Sequence, residues 1–244
     1  MTPPVDESNL LTKLRKKILE HKACHGYGYV IENGKQVMCK CRVDALYDYR
    51  LMTSGIPPKY RTKSFKDYVY KESTGYKQVQ EYLSKAQEHR ESGTGMFMYG
   101  TSFTGKSLLT CSLLMELMKK GYDCRFTHFD GLLACRDGAE KVYANQYDFL
   151  CIDGVGEVLN SLSNFRQGVL TGERIHGAVE FLSGIIAHRV LAGRPVIVTS
   201  TVELADVNKQ FPGLASKLIG NCELVNCEDK GFKKRKLEQM MEGE

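Results

Sequence analysis

Apolar positions along the chain follow two rhythms, and their alternation predicts a layered protein. Met96–Tyr99, Cys124–Phe129, Tyr147–Asp153 and Pro195–Thr201 are short apolar runs bounded by glycine, aspartate or proline, the pattern of buried strands. Between them the period changes. From Ser107 to Lys120, Leu108, Leu109, Leu113, Met115, Leu117 and Met118 recur at helical spacing and stop at Gly121. Tyr76–Arg90, Asp130–Arg136 and Phe181–Arg189 also predict helices, whereas the glycine- and polar-rich stretch from Val155 to Val179 predicts a long loop. Strands alternating with helices predict an α/β fold with a parallel sheet and a ligand at the carboxyl ends of its strands.

The beginning of the chain has a different texture. Asn9–Lys22 sets Leu10, Leu11, Leu14, Ile18 and Leu19 among lysines, an amphipathic helix after the cap residue Ser8. Arg42–Met52 predicts a second helix, and Gly55-Ile56-Pro57-Pro58 breaks the chain. From there to Tyr68 the residues predict an extended linker that delivers aromatic side chains to a new unit. The expected organisation is an N-terminal module over residues 1–55 and a nucleotide domain over 56–244.

One stretch identifies the chemistry of that domain. Gly100-Thr101-Ser102-Phe103-Thr104-Gly105-Lys106-Ser107 fits the phosphate-loop pattern. Glycines let backbone N–H groups approach a triphosphate, the lysine reaches its outer phosphates, and the serine hydroxyl ligates Mg²⁺. A strand before the loop and a helix after it complete an anion site at a helix N-terminus. ATP or GTP is the expected ligand. Asp153, at the end of an apolar run, suits the carboxylate that stands beside the metal. Thr199 and Ser200 end another strand with hydroxyls that can meet a γ-phosphate or a water.

A second constellation lies upstream. His21 and Cys24 are followed, after fourteen residues, by Cys39 and Cys41. The intervening Gly26, Gly28 and Asn33-Gly34 read as a hairpin that brings both pairs to one tetrahedral zinc, with His25 competing with His21 for the nitrogen position. With all four positions filled, such a zinc is structural.

Composition adds boundaries. The 244 residues suffice for one nucleotide domain with a sizeable core and a small extra module. No apolar run reaches membrane-spanning length and Met1–Ser8 does not read as a signal peptide, so a cytoplasmic protein is expected. Nine cysteines, mostly isolated in apolar surroundings (Cys111, Cys124, Cys151), suit reduced thiols. A net charge of +5 permits a nucleic-acid partner without demanding one. Basic residues crowd at Lys13, Arg15, Lys16 and Lys17 and again at Lys230 and Lys233 to Lys236, as solvated surface or as phosphate contacts.

These residues together resemble the DnaC/DnaI/IstB-like AAA+ ATPases, which load bacterial and phage replicative helicases or assist transposases. The resemblance spans most of the chain. It rests on Cys39-x-Cys41, the linker Gly55-Ile56-Pro57-Pro58-Lys59-Tyr60-Arg61 with Phe65, the phosphate loop, the strand ending at Asp153, and Ile185-Ile186-Ala187-His188-Arg189 leading to Thr199-Ser200. It implies an AAA+ P-loop domain preceded by a small zinc-binding, helical domain. That domain would hold a hexameric DnaB-type helicase, and the ATPase would bind ATP, Mg²⁺ and single-stranded DNA, with self-assembly on the helicase ring. The site implied is the loop from Gly100 to Lys106 with Ser107 and Leu108, Asp153 beside Mg²⁺, and Thr199 or Ser200 at the γ-phosphate.

Departures qualify the activity. Relatives carry Asp-Asp where this chain reads Asp153-Gly154, and the nearest other carboxylate is Glu157, which needs a different backbone path to reach a water. Lys217 and Lys233 stand in the regions where relatives carry arginines, and lysine lacks the planar fork that bridges phosphate oxygens. Because an arginine supplied in trans contributes about 10³-fold or more, hydrolysis is expected to be slow. His21 replaces a cysteine of many relatives and keeps the zinc set intact. Two other readings share the ATPase core: a transposition helper acting on duplex DNA, and a non-hydrolysing adaptor or inhibitor that binds the helicase.

Overall fold

A computed structural model describes residues 7–134, 146–164 and 169–228. The basic cluster at Lys230 and Lys233 to Lys236 lies outside the described residues. Helix α1 (Glu7–Leu19) is followed by a 3-10 turn (Lys22–Cys24) and by strands β1 (Tyr29–Glu32) and β2 (Lys35–Met38), paired antiparallel. Asn33 and Gly34, at φ +50° and +74°, make the tight turn that matches the twist of the two strands. Helix α2 (Lys40–Thr53) returns along α1.

The linker is not extended as its two prolines suggest. Pro58 sits at the first position of a one-turn helix, α3 (Pro58–Arg61), where its missing N–H costs nothing. A second turn, Phe65–Asp67, is held by a reciprocal cap between Ser64 and Asp67. The predicted helix over Tyr76–Arg90 is two helices, α4 (Thr74–Ser84) and α5 (Ala86–Ser92), with Lys85 at φ −94°, ψ 19° between them.

The parallel-sheet domain follows as β3 (Gly95–Tyr99), α6 (Lys106–Lys119), β4 (Cys124–His128), α7 (Phe129–Ala134) and β5 (Phe149–Asp153). Then come α8 (Val155–Asn164), α9 (Val169–Leu191), β6 (Val196–Ser200), α10 (Leu204–Gln210), α11 (Pro212–Asn221) and β7 (Cys222–Asn226). The expected long loop from Val155 to Val179 is thus helical wherever it is described. Val155, Val158 and Leu159 form one apolar face, and Gly156 answers a packing need. A Cβ on Gly156 would lie 2.6 Å from the Ser200 hydroxyl and from the Thr201 amide, so glycine lets α8 lie against the end of β6.

All five strands of the domain are parallel, in the order β4-β5-β6-β3-β7. Helices cover both faces, which is why the inner strands read as unbroken apolar runs. Side chains alternate between two cores: Met96, Met98, Cys151 and Ile197 face one, while Phe97, Leu150, Ile152 and Val198 face the other. Arg189 is fully buried and ties β5 to β6 at their amino ends, donating to the carbonyls of Tyr147 (2.9 Å), Asp148 (3.1 Å) and Pro195 (2.9 Å). Burial pushes its guanidinium down to about 9. Its partners are strand ends on the far side of the sheet from the phosphate loop.

The outer edge of β4 is covered by the junction between the modules. The Phe126 amide donates to the Ser54 carbonyl at 2.7 Å, Arg125 donates to the Thr53 carbonyl at 2.7 Å, and Arg50 pairs with Asp123 at 2.7 Å. Gly55, at φ +81°, approaches the Phe126 carbonyl so closely that any Cβ would collide with it. An edge strand that would otherwise invite another chain is closed by the linker. No helix among the described residues is long and apolar enough to cross a membrane.

Candidate nucleotide-binding site and metal centre

The phosphate loop joins β3 to α6 at the carboxyl end of the sheet. Gly105, at φ +85°, turns the chain into the helix, and Phe103 holds φ +69°, a region that non-glycine residues seldom occupy. A cavity of about 440 Å³ opens beside it, a size suited to a small ligand. Ser102, Phe103, Gly105, Lys106, Ser107 and Leu108 line it from the loop and the start of α6, Asp153 and Thr199 from the ends of β5 and β6, and Glu157 from the first turn of α8.

Lys106 is buried, and its ammonium donates to the carbonyls of Gly100 (2.6 Å) and Thr101 (2.8 Å). Burial pushes its pKa below the usual lysine value, against the pull of Cys227, Glu157, Asp153 and Glu228. A polyanion entering the cavity would oppose that burial effect and favour the charged amine. The remaining loop residues shape the backbone: Thr104 donates to the Thr101 carbonyl at 3.0 Å, and the Gly100 amide bonds Ser200 O at 3.2 Å.

Asp153 is the centre of the polar cluster. Its carboxylate accepts from the Ser107 hydroxyl at 3.0 and 3.2 Å and from the Thr199 hydroxyl at 2.6 Å. Oxygens that occupy neighbouring positions on an octahedral Mg²⁺ stand about 2.9 Å apart, given metal–oxygen distances near 2.1 Å. Ser107 and Asp153 therefore fit a shared magnesium. Gly154, at φ +79°, turns the chain from β5 into α8 and donates its amide to Thr199 at 3.0 Å. That turn returns Glu157, in the first turn of α8, to the cavity wall. A helical turn after the glycine is thus the backbone path that Glu157 needed.

Thr199 and Ser200 separate. The Ser200 hydroxyl is engaged in its own turn, donating to the Val202 carbonyl at 2.8 Å and accepting from the Val202 amide at 2.9 Å, whereas Thr199 faces Asp153. Lys217 donates to the Ser183 carbonyl at 3.2 Å and does not line the cavity. Two side chains that the sequence does not mark as site residues reach this region. The His128 Nδ1 lies 3.4 Å from Asp153 Oδ2, and Tyr60 of the linker lines the cavity. No periodicity marks either, because each arrives from an element distant in the chain.

The second constellation closes as spaced. The ligand atoms of His21, Cys24, Cys39 and Cys41 lie within 4.8 Å of one another. Cys24 Sγ is 3.5 Å from Cys41 Sγ and from His21 Nδ1, and Cys39 Sγ is 3.5 Å from the same nitrogen. A tetrahedral zinc with bonds near 2.3 Å sets its sulfur ligands about 3.8 Å apart, so the four groups fit one ion. Burial opposes charge on the Cys24 thiol, but the bonds from His21 and from the Gly28 amide outweigh it and lower the pKa to about 6. His25, at φ +49°, ends the preceding turn outside this set, which leaves His21 as the nitrogen ligand.

The sequence matches no family model and no curated protein. Solved structures of similar shape exist. The DnaC helicase loader is 18% identical with a TM-score of 0.54, over 70% of this chain and 100% of that one. DnaI is 14% identical with a TM-score of 0.55, over 71% and 92%. AMPPCP-bound DnaA from Aquifex aeolicus is 22% identical with a TM-score of 0.52, over 71% of this chain and 51% of that one. At these identities the likeness is one of fold: the chain has an α/β fold with a parallel sheet and a phosphate-loop sequence, similar in shape to DnaA, DnaC and DnaI, preceded by a His/Cys cluster of metal-binding geometry.

Proposed function

We propose that the chain is a cytoplasmic ATP-dependent loader of a DnaB-type replicative helicase onto single-stranded DNA, with ATP acting chiefly as a switch and hydrolysed slowly. The observation that carries this reading is a cavity lined together by Lys106, Ser107, Asp153, Glu157 and Thr199, on a sheet whose edge strand β4 is bonded to the linker from the His/Cys module. Lys106 and the loop amides hold the phosphates, Ser107 and Asp153 hold Mg²⁺, and Thr199 senses the γ-phosphate through Asp153. Magnesium supplies charge neutralisation at the phosphates. The zinc module holds the helicase, and ATP-dependent ordering of the loop changes the grip on helicase and DNA.

The test is co-elution of the purified chain with the replicative helicase of its own host, with ATP, with ADP and without nucleotide. A complex that depends on nucleotide and is lost in Cys39→Ser is the expected outcome. No complex under any condition would sink the loader reading and turn attention to duplex DNA.

A helicase-binding adaptor that does not hydrolyse ATP is the second reading. It is favoured by Gly154 after Asp153 and by the lack, among the described residues, of any arginine lining the cavity. Turnover separates the two. In a slow ATPase, Glu157 is the group left to orient the attacking water, so Glu157→Gln is expected to lower kcat by about 10²-fold with ATP affinity retained. Steady-state phosphate release measures it. A wild-type chain that binds ATP without releasing phosphate, even with single-stranded DNA present, is the adaptor.

A further inference from the structure

We propose that Phe103 sets the affinity of the phosphate loop through its backbone: the loop binds only when this residue is left-handed, and phenylalanine resists that conformation. The inference rests on the reading of the cavity as a nucleoside triphosphate site and names the device by which nucleotide orders the loop. Among the described residues three non-glycine residues hold a positive φ: His25, Asn33 and Phe103. Histidine and asparagine enter that region several times more often than other side chains, whereas for a bulky residue it is a genuine outlier. Asn33 lies in a hairpin turn and His25 ends a 3-10 turn. Phe103 stands in the ligand-binding loop, where local strain is commonly part of a mechanism.

Its neighbours impose the conformation. Thr104, next in the chain, is buried; its hydroxyl donates to the Thr101 carbonyl at 3.0 Å, and its own carbonyl accepts from the Tyr68 hydroxyl at 3.2 Å. Gly105 is left-handed in turn, at φ +85°, with the Tyr68 ring so near that a Cβ would lie 2.7 Å from it. To bury Thr104 and begin α6 at Lys106, the chain turns at Phe103, and successive amides turned in this way make a concavity that holds an anion. The Phe103 ring is 75% exposed, so burial offsets little of the strain. The clash of a Cβ in this region amounts to about five- to thirtyfold in a two-state equilibrium. Before a phosphate arrives, the loop is divided between the strained binding form and a relaxed one. Phosphate bonds to the amides select the first, and the apparent affinity is reduced by the fraction of chains that hold it. This is the bistable element that an ATP switch needs.

Calorimetric titration of the full chain with MgATP and with magnesium tripolyphosphate reads the effect in three variants. Phe103→Gly adopts the conformation freely and is expected to tighten both ligands about fivefold. Phe103→Asn, whose short polar side chain tolerates it, is expected to fall between that variant and the unmodified chain. Phe103→Ala removes the ring but keeps the Cβ, and is expected to show none of the gain. An order of affinities that follows backbone tolerance, alike for both ligands, supports the proposal. Equal affinities in Phe103→Gly and Phe103→Ala overturn it, because the ring and not the backbone is then what matters. Weaker binding in Phe103→Gly than in the unmodified chain, or a gain for ATP alone, also overturns it. Should the unmodified chain bind neither ATP nor tripolyphosphate, the nucleotide reading itself has failed and the proposal falls with it.

Discussion

Replacing Lys106 by alanine is expected to weaken ATP binding by about 10²-fold or more and to abolish any nucleotide dependence of the helicase complex. Among the described residues, the lysine is the one cation whose side chain lines the cavity. Truncating one partner of a desolvated charge pair costs about 2–5 kcal/mol, and each 1.4 kcal/mol is a factor of ten in affinity. Its present bonds to the Gly100 and Thr101 carbonyls cost little to lose, since those groups belong to the loop and water can replace the amine. The variant should therefore melt near the unmodified temperature, and equilibrium binding of ATP reads the effect cleanly. Unchanged affinity would mean that the cavity is not a triphosphate site.

Metal removal is expected to have the other large effect, and to have it on a different part of the molecule. From Asn9 to Thr53 the buried apolar residues are Leu14, Cys24, Cys39 and Ala45, so two of the four belong to the His/Cys cluster. A module with so small a core cannot offset its own chain entropy without a staple. Structural zinc supplies apparent free energies of about 10–16 kcal/mol in small metal-dependent domains. Elemental analysis should find one zinc per chain. Chelation, or Cys39→Ser, should open residues 20–42 to protease while ATP binding persists, because the phosphate loop is supported by the cores on either side of the parallel sheet. A zinc-free protein in which that segment resists protease would remove the metal from the account.

The contrast between the two sites shows what pattern reading reaches. Loop, strand and helix around Lys106 are contiguous in the chain, and each has its own period, so β3, α6 and the run ending at Asp153 were legible to within about two residues. The convergence of His21, Cys24, Cys39 and Cys41 was legible for the same reason, since residue pairs flanking a hairpin have little freedom to miss each other. The stretch after Asp153 was not. Gly154 and Gly156 look like loop signals, yet one supplies a positive φ and the other a close approach to β6. Strand β7 also escaped notice: its sequence Cys-Glu-Leu-Val-Asn buries only Val225, and it exists because β3 offers an open edge.

The sequence by itself determined the chemistry available: a loop of phosphate-binding pattern, a carboxylate at the end of a buried strand, a cysteine and histidine set of zinc spacing, and an alternating α/β framework. Those features are local, written in residue type and in spacings of a few positions. Tertiary structure alone decided which groups share a cavity. It turned Thr199 toward Asp153 and left Ser200 in its own turn, returned Glu157 to the site, and brought Tyr60 and His128 beside the loop. It also set the junction at Ser54 and Gly55 against β4. Those outcomes depend on strand order and on the packing of helices on a sheet, where partners lie tens of residues apart and no local period records them.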